Sequence, residues 1–99
     1  MRRKEKRHEK IKLRLYVAGM SVKSLEAIAN VHSLCEKYLL GDFELKVIDI
    51  YKEPEMATRH QILFSPSLVK LLPLPRKVFI GNFFDTGRIL HGLGIHNVN

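Results

Sequence analysis

The chain has 99 residues, 45% of them hydrophobic and 27% charged, the balance of one globular domain with one core. No apolar run approaches the roughly 20 residues a membrane helix requires, and the basic start lacks the apolar stretch of a secretory signal. The one cysteine, Cys35, excludes an internal disulfide, which with the missing signal suits a cytoplasmic protein; the formal charge is +7.

In chain order, residues 1–10 come first. They hold six Lys/Arg and two Glu, a net +4, against eleven Lys/Arg and eight Asp/Glu, a net +3, in the remainder. Such a block reads as a flexible, solvated tail ahead of a single domain over 11–99. The alternative is non-specific contact with nucleic acid or an acidic partner.

Ile11, Leu13, Leu15 and Val17 alternate with Lys12, Arg14, Tyr16 and Ala18, the period of a strand. Ser21 then suits a helix N-cap. Beyond it Leu25, Ile28, Val31, Leu34, Cys35, Tyr38 and Leu39 recur at steps of three and four, and Gly41 suits the C-terminal end. Glu44 to Tyr51 reads as a second strand with apolar groups on both faces, as for a strand covered on two sides. Strand, helix and strand in this order predict a parallel βαβ unit.

Pro54 and Glu55 suit the first turn of a short second helix, with Met56, Ala57, His60 and Leu63 along one face. The Ser65-Pro66-Ser67 break follows. Proline donates no backbone hydrogen bond, so Pro66 belongs at the start of a strand. Ser67 to Leu72 and Lys77 to Ile80, joined by Pro73-Leu74-Pro75, predict a hairpin that closes on Gly81. Asp85 suits the cap of a last helix with Ile89, Leu90 and Leu93 inward, although Gly87, Gly92 and Gly94 weaken it. The order β-α-β-α-β-β-α is that of an α/β, thioredoxin-like fold. Residues 52–94 hold four prolines and four glycines, and their local preferences do not all agree with one fold.

No catalytic constellation accompanies this order. A redox thioredoxin needs Cys-x-x-Cys at the start of the first helix, where the dipole lowers a thiol pKa, and here that place reads Ala18-Gly19-Met20-Ser21. Cys35 falls on the apolar stripe and reads as a buried structural thiol. His8, His32, His60, His91 and His96 have no metal-ligand spacing, and neither a phosphate loop nor a nucleophile motif is present. Asp49 reads as a strand-end carboxylate bonded to backbone. A non-enzymatic binding module without cofactors is the expectation.

Six segments in order, Arg14-Leu-Tyr-Val-Ala-Gly19, Leu45-Lys-Val-Ile-Asp49, Lys52-Glu-Pro54, Ile62-Leu-Phe-Ser-Pro-Ser-Leu68, Lys70-Leu-Leu-Pro-Leu-Pro75 and Ile80-Gly81, closely resemble the KaiB family of circadian clock proteins. The resemblance runs without gaps from about Lys12 to Leu93, and a related histidine-kinase sensor domain matches less well. It implies a non-enzymatic protein that binds a KaiC-type ATPase/autokinase and modulates its phosphorylation state. It also implies a metamorphic chain. The resting form is a homotetramer ordered βαββααβ, and the partner-bound monomer is thioredoxin-like. By the same resemblance Lys46 and Lys70 are candidate partner-binding residues, and Pro66, Pro73, Pro75, Gly81 and Asp85 are candidate fold-switch positions. Gln61, Asn82 and Val78 depart from the cyanobacterial pattern, so engagement of KaiA or a sensor kinase stays open. The competing reading is a redox-inactive thioredoxin-like chaperone or interaction module without a KaiC partner.

Overall fold

The alternation at the start of the chain builds β1 (Ile11–Val17), the strand on which the sheet is assembled. Leu13, Leu15 and Val17 are buried on one face and Tyr16 on the other. The computed structural model describes residues 10–81 and 83–95. The segment read as a tail therefore lies, Lys10 apart, outside the described residues.

β1 pairs in parallel with β2 (Phe43–Asp49), in register from Ile11 opposite Phe43 to Val17 opposite Asp49. A parallel pair needs a long crossover, and α1 (Val22–Tyr38) supplies it. Ser21 caps α1 as expected, its hydroxyl accepting from the Ser24 N–H at 3.2 Å. The chain leaves the helix through Leu40 and Gly41, at φ of 48° and 86°. The buried stripe is Ser24, Ala27, Val31, Leu34 and Cys35. Leu25, expected inward, is exposed, because each helical residue turns the side chain by about 100° and Ser24 occupies the inward position. A small side chain there allows a close approach, and Ser24 Oγ donates to the Ala18 carbonyl.

β2 carries apolar groups to both faces as expected, Phe43 and Leu45 against the core that holds the α1 stripe and Ile48 against the cluster that Met56 covers. The sheet order is β2-β1-β3-β4, so β2 is an edge strand. Ile48 is its one fully buried residue among the described positions, and Val47 is exposed. Glu44 and Lys46 are charges of the kind that keep an edge from pairing with another chain.

The remaining elements are α2 (Pro54–Arg59), β3 (Ser67–Leu72), β4 (Lys77–Ile80) and α3 (Thr86–Gly92). β3 runs antiparallel to β1, with Leu15 opposite Leu68, and β4 antiparallel to β3, with Leu68 opposite Phe79. The observed order is thioredoxin-like in both halves, and the βαββααβ alternative is not the one adopted here. α1 and α3 pack on one face through Val31, Leu34, Ile89 and Leu90. On the other face Met56 of α2 packs against Tyr16, Ile48 and Val69.

Pro54 opens α2 as expected, but the helix stops at Arg59 and buries no residue fully. Leu63, expected on its inner face, is 83% exposed, because Gln61 at φ 57° turns the chain away first. Asp85 caps α3 by accepting from the Arg88 N–H at 3.2 Å, and Ile89, Leu90 and Leu93 are buried as expected. Gly92 has a role beyond weakening the helix. A Cβ there would stand 2.4 Å from Phe79 Cε1, so the buried ring occupies the place of a side chain.

Candidate functional site

The start of α1, where a redox thioredoxin places its thiols, is here a hydrogen-bonded turn. Gly19, at φ 69°, and Tyr51 both donate backbone N–H groups to Asp49 Oδ1, at 2.9 and 3.0 Å. These two donors, Gly19 first, hold the Asp49 carboxyl below the ordinary carboxylate value. Asp49 therefore ties the end of β1 to the end of β2, the structural role expected of it. Cys35 is buried mid-helix, fourteen residues beyond Ser21 and so about 20 Å along the axis. Burial, helped by Glu36, pushes its thiol up to about 11, which keeps it protonated at neutral pH. Among the described residues no three His, Cys, Asp or Glu side chains gather into a metal-binding group. His8, Asn82 and His96 lie outside the described residues.

The candidate residues fall into three places. Pro66 directly precedes β3 and Gly81, at φ 132°, directly follows β4, so both sit at one end of the hairpin, where Ser67 pairs with Ile80. Pro73 and Pro75 form the turn at its other end, and the peptide bonds before all three prolines are cis. Asp85 caps α3 four positions beyond Gly81. The two lysines are not brought together. Lys46 is exposed on β2, in register with Arg14. Lys70 is only 5% exposed and lies on β3 between Leu13 and Lys77, on the face it shares with Leu68.

Two features had little or no local signal in the sequence. Leu63, Phe64, Val78 and Ile80 form an exposed apolar strip beside the β4 edge, around a shallow cavity of about 150 Å³. The run Ile62-Leu63-Phe64 carried the only hint of it, as apolar residues just ahead of a proline break. The second feature joins Tyr16 to His60, 44 residues apart, with the Tyr16 hydroxyl 2.6 Å from His60 Nδ1. No sequence pattern announces that contact.

Comparison with known proteins agrees with this arrangement. The family model for the KaiB domain matches residues 14–95. A circadian clock protein of Synechocystis sp., KaiB3, is 38% identical over 86 residues, which cover 87% of this chain and 84% of that one. Among solved structures, the N-terminal domain of Synechococcus elongatus SasA superposes with a TM-score of 0.71 at 22% identity, covering 86% of this chain and 80% of that one. A chloroplastic thioredoxin z also reaches a TM-score of 0.71, at 17% identity, over 87% of this chain and 77% of its own. At such identities the structural likeness speaks for the thioredoxin-like fold.

Proposed function

The chain belongs to the KaiB family of circadian clock proteins, and from that premise we propose that it is a non-enzymatic regulator that binds a KaiC-type ATPase/autokinase and modulates its phosphorylation state. The family match over residues 14–95 carries this reading. The thiol-free turn at Ala18 to Ser21 supports it, because disulfide exchange has no nucleophile there. The apolar strip of Leu63, Phe64, Val78 and Ile80 beside an open strand edge supports it too. It offers a protein partner both side-chain area and backbone hydrogen bonds.

In this reading the thioredoxin-like arrangement is the partner-competent form, and a homotetramer with the βαββααβ order is the resting form in the cytoplasm. Association favours whichever fold carries the tetramer interface, and a partner that selects the other fold binds more weakly in proportion to its rarity. Pro66, Pro73, Pro75, Gly81 and Asp85, which bound the hairpin and cap α3, are the positions through which the second half rearranges. Lys46, exposed, contacts the partner directly. Lys70 does so only where β3 becomes uncovered.

The test is a pull-down with the purified KaiC-type ATPase from the same source. Specific, salt-resistant capture of the ATPase is expected. Failure to capture it, with nucleic acid alone retained at low salt and released at high salt, would replace this reading with the tail-driven one.

A further inference from the structure

On the sheet face covered by α2, cationic groups converge from three segments remote in sequence. Arg14 comes from β1, Arg59 and His60 from the end of α2, and Arg76 from the turn between β3 and β4. Arg59, His60 and Arg76, with Tyr16, border an open cavity of about 310 Å³, and Arg14 reaches His60 from behind it.

The hydrogen bonds fix the state of the ring at its centre. Arg14 Nη1 lies 3.3 Å from His60 Nδ1, the same nitrogen that faces the Tyr16 hydroxyl. A guanidinium can only donate, so Nδ1 is the acceptor and the ring proton sits on Nε2. Tyr16, almost wholly buried, donates to the same lone pair. Arg76 Nη2 donates to the His60 carbonyl at 3.2 Å, which anchors the turn against the end of α2.

The charges are not balanced. Among the described residues, none of Arg14, Arg59 and Arg76 forms an ion pair with a carboxylate. Burial first, then Arg14, Arg59 and Arg76, hold the His60 pKa below its ordinary value, with no acidic group acting in the other direction. Lys46, in register with Arg14 on the same face, adds a further cation.

Like charges gathered without a counter-ion repel one another, and an anion that enters relieves the repulsion at every contact. Guanidinium groups present paired donors that match two oxygens of one oxyanion. A dianion offsets this set better than a carboxylate does. We propose that this pocket binds a phosphoryl group, as inorganic phosphate or the phosphate of a small phosphomonoester. The Tyr16–His60 pair, backed by Arg14, forms its fixed wall, and the exposed Arg59 and Arg76 form its clamp. The site does not depend on the partner proposed above.

The experiment uses the full chain, ¹⁵N-labelled and titrated with inorganic phosphate and, separately, with adenosine monophosphate at constant ionic strength. Amide shifts should centre on Tyr16, His60, Gln61 and Leu71, and the His60 titration midpoint should rise when phosphate saturates the site. The double variant Arg59→Ala, Arg76→Ala should lose affinity by about tenfold or more, the loss expected when charge-assisted hydrogen bonds are removed. The fold should be retained with only a small drop in thermal midpoint, because both side chains are exposed and the one bond lost is that from Arg76 to the His60 carbonyl. Equal affinity for the two ligands would assign binding to the phosphoryl group alone, and tighter binding of the nucleotide would add contacts in the open cavity. Three results would overturn the site: shifts confined to the basic residues 1–10, unchanged affinity in the double variant, or no shift at any concentration of either ligand.

Discussion

Residues 11–49 and residues 50–95 are built by different rules. In the first stretch a repeating pattern sets the structure. β1 alternates, α1 repeats at three and four, and their apolar faces meet in one core. In the second stretch single residues set it. Gln61 and Phe83 hold positive φ without being glycine, as Leu40 alone does among the described residues of the first stretch, Gly81 closes the hairpin at φ 132°, and Gly92 leaves the space that Phe79 fills. A pattern tolerates the loss of one member, whereas a structure fixed by a few residues has few interactions separating it from a second arrangement. This is the physical basis for placing the proposed fold switch in residues 50–95.

The largest expected effect tests whether the two stretches share one core. Leu15 is fully buried on β1, which pairs with both β2 and β3. Leu15→Ala should cost about 2–5 kcal/mol in urea unfolding. Hydrogen exchange should show both stretches losing protection together. Intact protection of β4 and α3 in this variant would mean that the second stretch is stable on its own.

Gly92→Ala sharpens the contrast through its sign. Helix propensity alone predicts a gain of about 1 kcal/mol for alanine. The new Cβ, however, would meet the buried Phe79 ring, and overpacking of that kind costs about 1–3 kcal/mol. Destabilisation with faster exchange confined to β4 and α3 is expected. A stabilised variant would show that the ring moves aside without cost.

The smallest effect lies at the junction. The Asp49 carboxyl is held below its ordinary value in the fold by the Gly19 and Tyr51 N–H groups. A depressed folded pKa contributes stability above the unfolded value of about 3.9, and that stability is lost as pH falls through the lower folded value. Wild type should therefore weaken over that acid window more steeply than Asp49→Asn. Parallel acid-unfolding curves would remove the carboxylate's role in joining β1 to β2.

What the sequence makes legible follows the same division. The alternation of β1, the Ser21 and Asp85 caps, Pro54 at the start of α2 and the inward Ile89, Leu90 and Leu93 all rest on local rules, and all hold. The edge position of β2 does not follow from its own residues, because an apolar strand looks alike at the centre and at the edge until its neighbours are known. Leu25 and Leu63 look inward by spacing, but the phase of α1 and the turn at Gln61 place them in solvent. Gly92 looks like a flaw until Phe79 is seen against it. The cluster of Tyr16, His60 and three arginines depends on contacts between distant segments, and local spacing does not encode those. The six matching segments point to the family from the sequence alone, and the family match over residues 14–95 agrees with them.

As proposed, this KaiB-family chain regulates a KaiC-type autokinase. The most direct test adds the purified chain, over a range of concentrations, to that enzyme from the same source with ATP, and follows the phosphorylated fraction over time. A change in that fraction is expected that grows with the concentration of the chain and saturates as the complex fills. A phosphorylation time course identical at every concentration would contradict it.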